Sequence, residues 1–173
     1  MGDSLSTVFT IILAVLVMFF FPMLDSWERQ DDLSYMAVYT ATVDFVDAVR
    51  NTGVITKDMY DSFVTQLYGT ANTYDITLEH REYKIVPDER PGAPAGATEI
   101  VYLNHYSSEI ENSLYSAAKS NKYVFNKGDY FYVSVKNTNK TQATMLKQTT
   151  YGTLIETFKI GVPYGGQIKS NGK

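Results

Sequence analysis

Residues 5–24 read LSTVFTIILAVLVMFFFPML, and this apolar segment decides the fold. It contains no charged side chain over 20 residues. At about 1.5 Å per helical residue it spans roughly 30 Å, the thickness of the hydrocarbon core of a bilayer. Because backbone polar groups in lipid need partners within the segment, the run is predicted to be a transmembrane helix.

The flanks of the apolar segment favour a retained anchor over a cleaved secretory signal. No Lys or Arg precedes the run, and its end, FFFPML, lacks the small residues of a cleavage site. Arg29 is the only basic residue between positions 1 and 49, so the positive-inside rule has little to count. We expect the N-terminus inside and the rest outside, because residues 54–173 have the composition of an exported domain.

The helix is predicted to continue beyond the membrane. No Gly or Pro occurs between Pro22 and Gly53, so one helix is expected from about residue 4 to about residue 51. A charged collar follows the apolar segment, with Arg29 spaced to pair with Asp25 or Asp32, and Trp27 lies where interfacial aromatic belts form. The predicted division is a helix, residues 1–53, and a globular head, residues 54–173.

Two features of this helix leave alternatives open. Pro22 removes the N–H that would bond the carbonyl of Met18, which predicts either a simple kink at the membrane exit or a weak point in a helix that later bends. Beyond the collar, apolar side chains recur at helical spacing on two rows. These rows pack either against the head of the same chain or against copies of the helix. The rows are Leu33, Met36, Ala37, Val43 and Tyr35, Val38, Tyr39, Val46, Val49.

The head is predicted to be α+β, with an antiparallel sheet of three to five strands and one or two short helices. Val54–Thr56 opens a helix that Thr56 caps and Gly69 ends. A half-buried strand starts at Tyr74, and its alternation slips near His80–Glu82, which suggests a bulge or bend.

The second half of the head is predicted from weaker patterns. Residues 99–103 form a strand, Ser107 or Ser108 caps a helix, and residues 130–135 form the clearest strand. A polar, Thr-rich stretch at 137–150 has no assigned element. A last strand covers residues 154–162. The supporting apolar positions are Ile110, Leu114 and Ala118 in the helix and Phe158, Ile160 and Val162 in the last strand, which Pro163 and Gly165-Gly166 end.

Composition excludes several functional classes. The 173 residues are 45% hydrophobic with a net charge of −4 and no cysteine, which excludes a disordered chain, a disulfide scaffold and thiolate metal sites. The acidic balance argues against nucleic-acid binding. The two histidines, His80 and His105, show no metal-ligand spacing, and no nucleophile or phosphate-binding motif is found. We therefore expect no enzyme activity and no cofactor. Fourteen tyrosines suit protein–protein surfaces as well as strands.

An apolar N-terminal helix of about 50 residues followed by a small α+β head resembles the type IV pilin and pseudopilin architecture, most closely the Tad/Flp-associated, TadE-like pilins. Pro22 falls where type IV pilins carry a helix-weakening proline. The resemblance implies a filament whose core is made of these helices, assembled from membrane-stored subunits by a cytoplasmic ATPase and platform proteins. Those pilins carry a glutamate where this chain has Leu5, so Asp3 is the acid expected to pair with a neighbour's N-terminal amine.

The sequence thus predicts a structural subunit that polymerises through its N-terminal helix into a filament on a bacterial cell surface, stored before assembly in the inner or cytoplasmic membrane. The alternative is a single-pass anchored binding or scaffold subunit of a secretion or pilus machine that does not polymerise. The residues expected to mediate assembly are Asp3, Leu5, Phe9, Leu13, Leu16, Phe20, Pro22, Trp27 and Arg29.

Overall fold

The computed structural model describes residues 2–88, 90–92, 94, 96–116, 121–151 and 160–172. Contacts divide the described chain into a helix unit, residues 2–36 and 140–151, and a sheet unit, drawn from residues 37–139 and 160–172. The predicted α+β class is confirmed, with a long N-terminal helix, antiparallel sheets and short helices. The elements are α1 Gly2–Thr52, β1 Val54–Thr56, α2 Lys57–Tyr68, β2 Tyr74–Pro87, β3 Thr98–Tyr106, α3 Ser107–Leu114, β4 Lys122–Val124, β5 Tyr130–Asn137, α4 Gln142–Tyr151 and β6 Gly161–Gln167.

Helix α1 confirms the single helix predicted over residues 4–51, and it runs through Pro22 without a break. It ends before Gly53, whose φ of +72° lies in the left-handed region that favours glycine. A Cβ at Gly53 would also overlap the carbonyl oxygen of Ser170. The backbone at Gly53 therefore passes so close to the backbone near Ser170 that only glycine fits at the helix end.

Within the sheet unit, residues 37–52 of α1 supply part of the core. Val38, Val46 and Val49 are fully buried. The Phe45 ring stacks on Phe63 of α2 with 4.5 Å between centroids and meets Phe131 of β5 edge-on at 6.2 Å. The predicted row through Val38, Val46 and Val49 thus packs against the chain's own sheet and helix.

The main sheet has four antiparallel strands in the order β3-β2-β5-β6, within the predicted range of three to five. The long strand β2 serves two partners: Tyr74–Arg81 pairs with β5, and Glu79–Pro87 pairs with β3. Past Arg81, β2 and β3 continue as a two-stranded ribbon. Strands β1 and β4 form a separate small ladder.

The prediction of a bulge near His80–Glu82 is wrong. Both ladders of β2 keep an unbroken register through these residues. The apolar alternation fails because two inward positions carry polar side chains: His80 is buried and Glu82 is half-buried. The backbone therefore stays regular while the residue pattern changes.

Two helix starts also need correction. Val54–Thr56 is the strand β1 and not the first turn of a helix, although Thr56 caps α2 as predicted by accepting a hydrogen bond from the Met59 N–H at 3.3 Å. Neither Ser107 nor Ser108 caps α3, because both lie inside the helix and its N-cap residue, Tyr106, makes no side-chain cap bond. The Ser107 hydroxyl instead accepts from the Leu78 N–H at 2.7 Å.

The last third of the chain differs most from expectation. Helix α4 lies in the polar 137–150 stretch. The final strand begins at Gly161 and runs through Pro163 and Gly165-Gly166, which were expected to end it. Since β6 is an edge strand, a proline is tolerated where its missing N–H would face away from β5. The positions Ala118 and Leu154–Phe158, used in the sequence prediction, lie outside the described residues.

Candidate membrane and assembly segment

The apolar segment of α1 is exposed along its length. Its most apolar 18-residue window has a mean hydropathy of 2.6, and none of that window is buried. By length and composition this helix could cross a membrane. A core helix of a soluble domain would pass the same test of composition but would be mostly covered. Membrane anchoring is therefore compatible with the structure.

Five of the predicted assembly residues form one exposed stripe on this helix. They are Leu5, Phe9, Leu13, Leu16 and Phe20, with exposures from 37% for Phe20 to 77% for Leu5. Their spacing of three and four residues places them within roughly 80° of arc. Pro22 is also exposed. The side chain of Asp3 lies outside the described residues.

The charged collar is held by ion pairs. Arg29 pairs with Asp25 at 3.0 Å, the first of the two predicted partners. Trp27 is half-buried. Both members of the Arg29–Asp25 pair are exposed, so the pair contributes between zero and about 1 kcal/mol. The collar therefore marks the end of the apolar segment more than it stabilises the helix.

Helix α4 joins the collar within the helix unit, which the sequence did not predict. Lys147 reaches Glu28 at 2.8 Å, and the Thr141 hydroxyl donates to Asp31 at 2.6 Å. Thr141 also accepts from the Thr144 N–H at 3.3 Å, so it caps the helix that it ties down. The sequence offers a threonine that can cap this helix, Thr141, and a lysine further along, Lys147. No apolar residues recur at helical spacing to predict the helix itself.

The end of α1 is fastened within the sheet unit by Arg50 and the last described residues. Arg50 donates from Nε to the Gln167 carbonyl at 3.1 Å and from Nη1 to Asp47 at 2.7 Å. The Lys169 N–H donates to the Arg50 carbonyl at 2.9 Å. The bond from Lys169 satisfies a carbonyl group at a helix end that would otherwise lack a partner.

A buried polar network lies between the two ladders of β2. His80 Nε2 is 3.0 Å from Asp129 Oδ2, and its Nδ1 is 2.8 Å from the Tyr123 hydroxyl. Asp129 also accepts from the backbone N–H groups of Tyr83 at 2.9 Å and Asn126 at 2.8 Å. The carboxylate accepts all three bonds, so His80 donates from Nε2 and, when neutral, accepts from Tyr123 at Nδ1.

The two histidines stack with 5.1 Å between ring centroids but respond differently to pH. Burial lowers the pKa of His80, against the opposing effect of Asp129. His105 is bound by Glu109 at 2.8 Å, and that hydrogen bond raises its pKa. Glu109 lies four residues after His105 and is a neighbour that the sequence indicates, whereas the partners of His80, Tyr123 and Asp129, lie 43 and 49 residues away and could not be predicted.

The Tyr123 hydroxyl and the surrounding histidine and acidic side chains define the chemistry of this network. Burial raises the pKa of Tyr123 and keeps its hydroxyl protonated, whereas a nucleophile must be deprotonated or activated. Across the described ranges, no group of three or more histidine and acidic side chains could hold a metal ion. The arrangement ties β2 to β3, β4 and the turn before β5.

The outer face of the sheet, opposite α1, carries a shallow groove and a row of tyrosines, Tyr83, Tyr102, Tyr130 and Tyr132. The groove has a volume of about 420 Å³ and is lined mainly by Thr77, Glu79, Arg81, Tyr132, Ser134 and Gly165. The Arg81 guanidinium lies over the Tyr132 ring at 5.1 Å and pairs with Glu79 at 2.8 Å. A Cβ at Gly165 would overlap that ring, so glycine leaves room for it.

Comparison with known proteins gives no match, so the function is argued from the observations above. No family model, no curated protein and no solved structure matches this chain.

Proposed function

We propose that this chain is a structural subunit of a type IV pilus-like filament, stored in the membrane through its apolar segment and polymerised through the same surface. The observation that carries the proposal is a helix whose apolar half is exposed while its last turns pack on an antiparallel sheet. The resemblance to Tad/Flp-associated pilins implies the same arrangement, in which the apolar half of the helix serves assembly and the rest of the chain forms the head.

Polymerisation would give the exposed stripe the same kind of environment as the bilayer. In a filament core, apolar surface of neighbouring helices replaces lipid, so the segment leaves the membrane without entering water. Asp3 would then lie in an apolar setting and would need a cationic partner, such as a neighbour's N-terminal amine, because an unpaired buried carboxylate is costly. The assembly ATPase and platform proteins are partners implied by the resemblance, with the bacterial cell surface as destination.

Filament formation by the purified full chain is the direct test. We expect thin filaments after detergent removal and in material sheared from cells, seen by electron microscopy. Protein that stays monomeric under both conditions would refute the filament. Removing residues 1–30 should leave a soluble monomeric head, and a truncated chain that still polymerised would show that the helix is not the assembly element.

The stripe can be tested against a matched control on the same helix. Leu13→Ala with Leu16→Ala removes two stripe residues, whereas Ile11→Ala with Met18→Ala removes similar volume from exposed positions on the opposite side. Both pairs keep the segment apolar enough to insert. We expect fewer filaments from the stripe variant, and equal yields would exclude the stripe as the assembly face.

Asp3→Ala should likewise reduce assembly while membrane insertion is unchanged. Insertion is measured by resistance to carbonate extraction and assembly by the filament yield. Normal filaments from this variant would remove Asp3 from the proposal.

A second candidate is an anchored binding subunit that does not polymerise, favoured by the groove on the outer sheet face. In that case Arg81→Ala or Tyr132→Ala would abolish binding of a partner and leave the chain monomeric in detergent. Filaments from the unmodified chain would decide against it.

A further inference from the structure

The two edge strands of the main sheet differ in how well their outer backbone groups are covered. Strand β6 is blunted by Pro163 and by Arg50, which bonds the Gln167 carbonyl. Strand β3, at the other edge, has nine residues without proline or bulge, and most of them are exposed. Among the described residues it pairs with β2 alone. An edge of this kind is a template for another strand.

The register defines which backbone groups of β3 face outward. The Asp88 N–H donates to the Ala97 carbonyl at 2.9 Å, which makes 88 and 97 a hydrogen-bonded position of the β2–β3 ladder. Alternation in an antiparallel ladder then directs the odd-numbered residues of β3 toward β2. The N–H and C=O groups of Ile100, Tyr102 and Asn104 consequently point away from the sheet.

We propose that the free edge of β3 pairs antiparallel with β3 of a second copy of this chain, about a two-fold axis through Tyr102. This register makes the outward groups of Tyr102 face their counterparts and those of Ile100 face Asn104. On the inner face it sets Val101 opposite Leu103 and Glu99 opposite His105 of the other copy.

Charge complementarity selects both the occupant and the register. Shifting the axis to Val101 places Glu99 opposite Leu103, and shifting it to Leu103 places Glu99 beyond the strand, opposite Ser107. Only the axis at Tyr102 joins an acidic side chain to a cationic one, and it does so twice because of the symmetry. His105 already carries two acidic contacts, Glu109 at 2.8 Å and Glu82 at 3.5 Å, which favour its protonated form.

The pairing is independent of the filament. A two-fold contact closes on itself and cannot propagate a helical polymer, so it would join two subunits in a membrane or two neighbouring filaments. A single strand pair is a small contact, and anchoring in one membrane would raise the effective concentration of its partners. Failure of this pairing would leave the filament proposal intact, and the reverse also holds.

Single cysteines test the register directly, since the chain contains no other cysteine. In the full chain in detergent micelles, Tyr102→Cys should form a disulfide dimer under mild oxidation, because facing Cα atoms of a hydrogen-bonded pair lie about 5.5 Å apart. Val101→Cys alone and Leu103→Cys alone should give roughly tenfold less dimer, since diagonal neighbours are about 7–8 Å apart. Mixing these two variants should restore it.

Other outcomes overturn the proposal. Equal dimer from Tyr102→Cys and Val101→Cys would mean that the heads collide without a fixed register, and no dimer from any variant would mean that the edge stays free. Adding Asn104→Pro to Tyr102→Cys removes an outward N–H and should lower the dimer yield. Gly161→Pro, at an outward position of β6, is the matched control and should not.

Discussion

Replacing Asp129 by asparagine should weaken the sheet unit by about 2–4 kcal/mol. The side chain is 1% exposed and accepts three hydrogen bonds, from the N–H groups of Tyr83 and Asn126 and from His80. Asparagine offers one oxygen where the carboxylate offers two. Its best orientation keeps the oxygen toward His80 and Asn126 and points an amide N–H at the Tyr83 N–H.

The magnitude follows from the bonds that change. One orphaned donor costs about 1–3 kcal/mol, and two bonds that lose their charged acceptor weaken by roughly 0.5 kcal/mol each. The sum is a large part of the 5–15 kcal/mol that separates a typical folded domain from its unfolded chain.

Urea unfolding of the full chain in a mild detergent, followed by the near-ultraviolet circular dichroism of its tyrosines, measures this loss. Asp44→Asn, an exposed carboxylate on α1, is the control and should change stability by less than about 0.5 kcal/mol. A loss at Asp129 below about 1 kcal/mol would refute the account of the buried network.

Three other predictions concern close contacts and pH. Gly165→Ala should destabilise by about 1–3 kcal/mol, because its Cβ overlaps the Tyr132 ring and the Phe131 carbonyl oxygen, and a Tm unchanged within error would contradict this. Gly53→Ala should cost more than Gly165→Ala, since positive φ adds to a backbone overlap; chemical denaturation ranks the two. The folded pKa of His105 is raised, so its contribution is complete below the ordinary value near 6.5 and is lost as pH rises through the folded value. His105→Gln should therefore cost more stability at about pH 5.5 than at about pH 8.5, and an equal cost would exclude the ion pair with Glu109.

The sequence predicted the features that depend on strong local patterns. Helix α1 follows from a long run without Gly or Pro, its end follows from Gly53, and the Thr56 cap is a local hydrogen bond. Strand β5 alternates clearly and faces the core on one side. In each case a few adjacent residues decide the structure.

The remaining features depend on partners distant in the chain. Helix α4 has a polar, Thr-rich sequence, and contacts with Glu28 and Asp31 of α1 stabilise it where its own propensity does not. The three-residue strands β1 and β4 exist only through each other.

The polar network could not be predicted for the same reason. His80 and Asp129 have 48 residues between them in the chain, and no residue near either position shows that the two side chains meet. The exposed stripe, by contrast, was predictable as a set of residues, and its role in assembly stays a prediction.

The backbone amides of strand β2 should differ along its length in their protection from hydrogen exchange. Amides between Tyr74 and Arg81 lie in a sheet with α1 across its face, and the Tyr83 N–H bonds the buried Asp129. Those from Lys84 to Pro87 belong to a ribbon with a single partner strand. A lone two-stranded ribbon is only marginally stable in water. Solvent deuterium should therefore enter the second half of one continuous strand long before the first, and the ribbon can fray and re-form while the core stays closed.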